Sequence, residues 1–188
     1  EMFLSTTLGQ YWDVQSVADE EGYWRIAHTK SSPFFGTALQ IGALMGGASA
    51  ELAAQIKKLG SLYGEMIQVH DDLNDTMEAP ANPDWTEGRS PLPILFARLV
   101  DHPLRARFVE LCPNAGNSPK ILEEAQEILI QCGAVSYCIY QLLNRTMIRI
   151  NFSLVVELNF HSCNNDYYNF RNVQLHEFFF LPFSVFYV

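Results

Sequence analysis

The chain has 188 residues, of which 48% are hydrophobic and 18% charged, enough apolar content for a buried core and too little polarity for intrinsic disorder. A net charge of −9 and a pI near 4.9 exclude a nucleic-acid-binding protein, which needs a basic footprint. The apolar stretch from Phe178 to Val188 is shorter than the roughly 20 residues a bilayer demands and is interrupted by Pro182, so no membrane span is expected.

The elements read in chain order as helices. The segment from Phe3 to Ala18 is an apolar helix carrying Gln10 and Asp13 three residues apart. His28-Thr29-Lys30-Ser31-Ser32-Pro33 then sets a lone lysine beside hydroxyls, just ahead of an apolar helix from Phe34 to Met45 that stops at Gly46-Gly47. From Leu52 to Leu73, the residues Leu52, Ile56, Leu59, Tyr63, Met66, His70 and Leu73 recur at steps of four and three, the mark of one buried helical row. His70 falls on that row, which reads as a packed histidine rather than a metal ligand. Beside it runs a polar row of Ser61, Glu65, Gln68, Asp72 and Asp75. Gly60 and Gly64, four apart, strip one face of side chains and permit another helix or a ligand to approach closely.

The stretch from Met77 to Arg89, with Pro80 and Pro83, is a loop that leaves this helix and returns with a cation before a proline-marked helix start. Asp101 is placed to cap a short helix ending before Pro113. Ser118-Pro119 opens a further helix that Gly133 stops, and another follows from Ala134 to about Ile148. Residues 1–145 therefore read as an all-α domain. Residues 146–188, rich in Phe and Asn and poor in charge, read as a separate tail with no sustained period. The four cysteines, Cys112, Cys132, Cys138 and Cys163, form no C-x-x-C pair and have no histidine at zinc spacing, which fits reduced thiols in the cytoplasm. The first residue, Glu1, already lies in helix-like sequence, as in a chain cut upstream.

The chemistry concentrates in Gln68-Val69-His70-Asp71-Asp72-Leu73-Asn74-Asp75. Asp71 and Asp75 are four apart, so they stack on one helix face, and Gln68 sits beside Asp71 and Asp72. Two carboxylates at about 6 Å and an effective dielectric of about 20 repel by about 2.8 kcal/mol. A divalent cation converts that repulsion into binding, and oxygen-only ligands favour magnesium over zinc. On its own the cluster is equally a solvated acidic face.

Four ordered elements accompany it: Gly9-Gln10-Tyr11-Trp12-Asp13, Lys30 with Ser31, the small-residue helix end Gly42 to Gly47, and Gly88-Arg89-Ser90-Pro91-Leu92-Pro93. In this order and spacing the chain resembles the trans-isoprenyl diphosphate synthases (polyprenyl synthetases) over roughly residues 5–145. Asp71-Asp72-Leu73-Asn74-Asp75 matches the family's second aspartate-rich motif, preceded by Gln68. The resemblance implies an antiparallel helix bundle of the isoprenoid synthase type, and condensation of isopentenyl diphosphate with an allylic diphosphate. Asp71, Asp72 and Asp75 would hold Mg2+. Lys30 and Arg89 would cradle the diphosphate, and Gln68, Gln10 and Asp13 would orient substrate. The full-length family would be a homodimer.

The departures from the family are specific. No D-D-x-x-D precedes residue 71, so the first aspartate-rich motif is missing and the bundle is incomplete. The family's phenylalanine before the glutamine is Ile67, and the family's last helices give way to the tail after about residue 145. These departures lead to an expectation of impaired prenyl transfer. The alternatives are a catalytically dead homologue serving as a partner subunit, and a class I terpene cyclase, whose second metal motif is not found in the sequence.

Overall fold

The computed structural model describes residues 1–15 and 17–147, and the expectations for the Phe/Asn-rich tail lie outside the described residues except for Thr146 and Met147. The described residues form helices and turns with no strand. The helices are α1 (Met2–Asp13), α2 (Glu20–Lys30), α3 (Ser32–Met45), α4 (Ala50–Met77), α5 (Leu92–Leu99), α6 (Arg105–Leu111) and α7 (Pro119–Gln131). An eighth, α8, is helical from 134 through 147. Single 3₁₀ segments occupy Pro83–Trp85 and Cys112–Asn117. No helix among the described residues is long and apolar enough to cross a membrane.

Among α1 to α7, the hairpin of α3 and α4 is the most extensive helix pair. Its turn is set by Gly47, whose φ of +85° suits a residue with no Cβ. Ala48 N donates to Ala43 O at 3.0 Å and Gly47 N to Leu44 O at 3.1 Å, which satisfies the last carbonyls of α3. Ser49 then caps α4 by accepting from Leu52 N at 3.2 Å.

The two helices meet along a glycine seam, as the spacing of Gly60 and Gly64 suggests. A Cβ on Gly60 would stand 2.5 Å from Phe35 O, and one on Gly64 would stand 2.8 Å from Ser31 O. Gly36 faces back across the seam, where a Cβ would lie 2.6 Å from Ser61 Oγ. The buried residues of α4 are consequently small or polar ones, Ala53, Gly60, Gly64, Asp72 and Thr76, together with Leu59 and Val69. This corrects the apolar-row reading: of the predicted row only Leu59 is buried, while Leu52, Ile56, Tyr63, Met66, His70 and Leu73 are half-buried. The helix turns its narrowest side inward, where Gly60 and Gly64 let backbone approach backbone.

Three other expectations are corrected. α1 stops at Asp13 and not at Ala18. Asp101 caps nothing; α6 starts at Arg105 with Leu104 at its N-cap. α2 was not anticipated, although Asp19 accepts from Gly22 N at 2.7 Å as an N-cap, followed by Glu20 and Glu21 in the first turn and by His28 and Lys30 in the last.

Two cores support the frame. Trp85, Ile94, Phe108 and Leu129 centre one formed by the Pro83–Trp85 turn with α5, α6 and α7. Tyr23, Ala27, Val69, Leu92, Leu95 and Cys138 form the other, where α2, α4, α5 and α8 meet. α8 is tied down by polar contacts: Arg145 lies over the Trp24 ring at 3.6 Å and its Nε donates to Glu65 Oε2 at 2.9 Å. Tyr137 stacks on Phe96 and donates its hydroxyl proton to Glu20.

Candidate functional site

Tyr23 and Ala27 of the second core form the floor of a cleft of about 410 Å³ whose rim gathers residues from distant parts of the chain. Asp13, Lys30, Ser31, Gln68, Asp71, Asp72, Asp75, Asp84 and Arg89 all line it. Ile26, Phe35 and Ile67 add apolar surface. A larger groove of about 650 Å³ runs by Ser5, His28, Thr37, Gln40 and Lys57, but only Glu1 brings a carboxylate there.

Each wall of the cleft has a local cause. α1 crosses the end of α2 at Gly9, where a Cβ would lie 2.4 Å from Lys30 N, so only glycine admits this approach. Asp13 is four residues beyond Gly9 and shares its face. Its Oδ2 accepts from Lys30 Nζ at 2.7 Å. Gln10 is one residue past Gly9 and about 100° round the helix. It is exposed and lies outside the cleft, so the fold does not bring it to the site with Asp13. Across the cleft, Gly88 at φ +78° turns the loop so that Arg89 faces inward. There NH1 donates to Asp84 Oδ1 at 3.0 Å, and NH2 lies 3.4 Å from Glu87 Oε2. Both cations are thus present and both are held by protein carboxylates.

The four polar residues of α4 occupy different settings. Asp71 is open, with its side chain 61% exposed. Asp75 is half-buried and its carboxyl is raised from the usual range, by burial first and then by the charges of Asp84, Asp71 and Glu78. Asp72 is only 7% exposed. Its Oδ1 accepts from Gln68 Nε2 at 2.8 Å and its Oδ2 from Leu92 N at 3.0 Å. Burial pushes its pKa up to about 6, against the opposing effect of the Leu92 N–H, the Tyr23 hydroxyl and Gln68. Gln68 completes the line by accepting from Ser31 Oγ at 2.9 Å. His70 engages its neighbours on the outer side of α4, with Asn74 Nδ2 3.2 Å from its Nε2 and Asp71 Oδ1 3.4 Å from its Nδ1.

Among the described residues, no three acidic, His or Cys side chains converge on a ready-made metal cage. Carboxylate oxygens without His or Cys would suit magnesium, which keeps several waters and takes one or two carboxylates plus phosphate oxygens. The three expected ligands, Asp71, Asp72 and Asp75, all line the cleft, but both oxygens of Asp72 already accept hydrogen bonds, from Gln68 and from Leu92 N. Behind burial, the charges of Asp84, Asp71 and Glu78 raise the proton affinity of Asp75, and a cation would relieve that second part.

Tyr23 and Asp84 were missed as site residues. Tyr23 is 5% exposed and lines the cleft floor, with its hydroxyl near enough to Asp72 to influence it but outside strict hydrogen-bond geometry. Burial, and then the charge of Asp72, hold its proton well above the usual range. It lies on the same face of α2 as Ala27 and Lys30, a relation readable once α2 is recognised. Asp84 stands within the loop motif that was read for its arginine alone.

Known proteins resemble this chain in sequence and in fold. A model of the polyprenyl synthetase family matches residues 1–129. Over 143 residues the chain is 30% identical to geranylgeranyl diphosphate synthase of Methanosarcina mazei, covering 69% of this chain and 41% of that protein. Over 125 residues it is 28% identical to the short chain isoprenyl diphosphate synthase of Methanothermobacter thermautotrophicus, covering 63% and 38%. The fold superposes with a TM-score of 0.69 on geranylgeranyl pyrophosphate synthase from Corynebacterium glutamicum, a structure complexed with calcium and isoprenyl diphosphate. That match has 22% identity and covers 80% of this chain and 50% of the other. A decaprenyl diphosphate synthase from Rhodobacter capsulatus superposes at 0.65, with 17% identity over 83% and 57%. The chain spans about two fifths of the length of these curated relatives. With a family model matched over more than half of its residues and the family's fold around the cleft, the chain belongs to the polyprenyl synthetase family.

Proposed function

We propose that the cleft is the diphosphate-binding part of a magnesium-dependent prenyltransferase that condenses isopentenyl diphosphate with an allylic diphosphate. The observation that carries this reading is the convergence of Lys30, Gln68, Asp71, Asp75 and Arg89 on one cleft from positions up to 59 residues apart in sequence (89 − 30 = 59). In the reaction, the allylic C–O bond breaks and its electron pair leaves with diphosphate. The double bond of isopentenyl diphosphate forms the new C–C bond, and a proton is lost from the adduct.

The chain's own residues serve the leaving group. Lys30 offers a point charge and Arg89 a planar fork, released from Asp13 and Asp84 as phosphate oxygens take their place. Fixed cations act most strongly where charge develops in a site shielded from water. Asp71 and Asp75 would hold Mg2+, which supplies further charge to the departing diphosphate when bound. Ile26, Phe35 and Ile67 give the hydrocarbon an apolar surface. The calcium and isoprenyl diphosphate bound by the Corynebacterium relative support this ligand class. A cytoplasmic location and homodimeric assembly belong to the same reading; the exposed Phe3, Leu4 and Met45, at 77%, 77% and 85%, favour further burial of α1 and α3.

A second reading is an impaired synthase or partner subunit, since these 188 residues carry one aspartate-rich motif, Asp71-Asp72-Leu73-Asn74-Asp75. The deciding experiment measures incorporation of labelled isopentenyl diphosphate into butanol-extractable product. The 188-residue chain alone should turn over weakly. Adding a family segment that carries the first motif, fused or as a separate chain, should raise turnover by orders of magnitude, since one electrostatic contributor alone can be worth about 100–1000-fold. Robust turnover by the chain alone would show that the active site is misplaced.

A further inference from the structure

The cleft's two cations sit on different elements, and a line of hydrogen bonds runs between their supports. Ser31, next to Lys30, donates to Gln68; Gln68 donates to Asp72; and Leu92, three residues beyond Arg89, donates its backbone N–H to the other oxygen of Asp72. Pro91 and Pro93 have no N–H, so Leu92 carries the only main-chain donor between residues 91 and 93. Leu92 is 1% exposed and Asp72 7%, so water cannot substitute freely for this bond.

We propose that Asp72 is a positioning residue: through Gln68 and Leu92 it braces the two walls that carry Lys30 and Arg89, and so sets the cation spacing that a diphosphate reads. The proposal rests on the diphosphate reading above. It assigns the first and last carboxylates of Asp71-Asp72-Leu73-Asn74-Asp75 to the open cleft and the middle one to the frame. Helical geometry allows this split, because Asp72 is turned about 100° from Asp71 and faces the second core.

The test uses the full chain and magnesium pyrophosphate as the probe, with affinity read by calorimetry. Asp72→Ala should weaken binding tenfold or more, and the same change in an Arg89→Ala background should weaken it by a clearly smaller factor, because only the branch through Gln68 to the Lys30 wall then remains to be disturbed. Asp72→Asn should recover most of the affinity, since its carbonyl can accept from Leu92 while the Gln68 amide inverts to face both neighbours. Hydrogen exchange at the Leu92 amide should speed up at least tenfold in Asp72→Ala but not in Asp72→Asn. Should Asp72→Ala fail to fold, Gln68→Ala breaks the same line, and its effect should shrink in a Lys30→Ala background. If the effects of Asp72→Ala and Arg89→Ala multiply and Asp72→Asn is as weak as Asp72→Ala, Asp72 is a ligand and the proposal is overturned. Unchanged Leu92 exchange in Asp72→Ala overturns it as well. No binding by the parent chain would bring down the diphosphate reading and this assignment with it, while the exchange data would still show whether the brace exists.

Discussion

The two ends of the molecule are built on opposite principles. Around α5, α6 and α7, large side chains fill the interior, with Trp85, Ile94, Phe108 and Leu129 at 1% exposure or less. Around α1 to α4, helices touch backbone to backbone at Gly9, Gly36, Gly60 and Gly64, and large apolar residues such as Phe3, Leu4 and Met45 remain exposed. The first arrangement gains stability from burial. The second holds polar groups at defined spacings, which side-chain packing alone does far less well. The cleft lies in the second region and borrows its floor from the core shared with α5 and α8.

The largest expected effect should come from the packed end. Phe108→Ala should cost about 3–5 kcal/mol in chemical denaturation, as for a fully buried aromatic. Magnesium pyrophosphate should still bind the folded fraction with parental affinity. A loss of affinity matching the loss of stability would merge the two regions into one.

The pH dependence of stability sharpens the comparison from the site side. Asp72 has a folded pKa of about 6, above its usual value near 3.8. Below about pH 3 it is protonated in both states and costs nothing. As pH rises toward 6 the unfolded chain releases this proton first, so folding stability falls, by about 3 kcal/mol in all for a shift of roughly two units. Asp72→Asn should remove that decline. The check is the difference between parent and variant in denaturation midpoints from pH 4 to 7, and a constant difference would remove the assigned cause.

At the glycine seam, Gly60→Ala places a methyl group 2.5 Å from Phe35 O, which forces α3 and α4 apart. The expected cost is about 1–3 kcal/mol, with weakened magnesium pyrophosphate binding because Ser31 and Gln68 lie on the two parted helices. Stability lost with binding intact would show that the seam does not set the site.

The smallest change in intrinsic stability belongs to Asp71→Ala, within about 0.5 kcal/mol for so exposed a side chain. It should nonetheless abolish the rise in melting temperature that magnesium and pyrophosphate together give the parent, whereas Asp101→Ala should leave that rise in place. An equal rise in Asp71→Ala and the parent would remove Asp71 from the site.

Much of this protein was legible in one dimension. Helix periodicity, the Ser118-Pro119 start and the Gly46-Gly47 and Gly133 stops depend on local backbone preferences, so they could be read without knowing any partner. Lys30, Gln68, Asp71, Asp75 and Arg89 could be named because their ordered spacing matches a family pattern. What surrounds them could not. Asp72 and Asp75 look alike in sequence and both line the cleft, yet Asp72 is buried with Oδ2 held by Leu92 N while Asp75 is half-buried, a difference that arises only when α5 packs on α4. Gln10 and Asp13 looked like one pair until the Gly9 crossing turned only Asp13 toward Lys30. Tyr23 gained its place from α2, which is marked in sequence by its Asp19 cap rather than by a long apolar row. Spacing along the chain determined which residues can share a face; only the packing of one helix on another decided which face is buried, because burial is a property of pairs of elements.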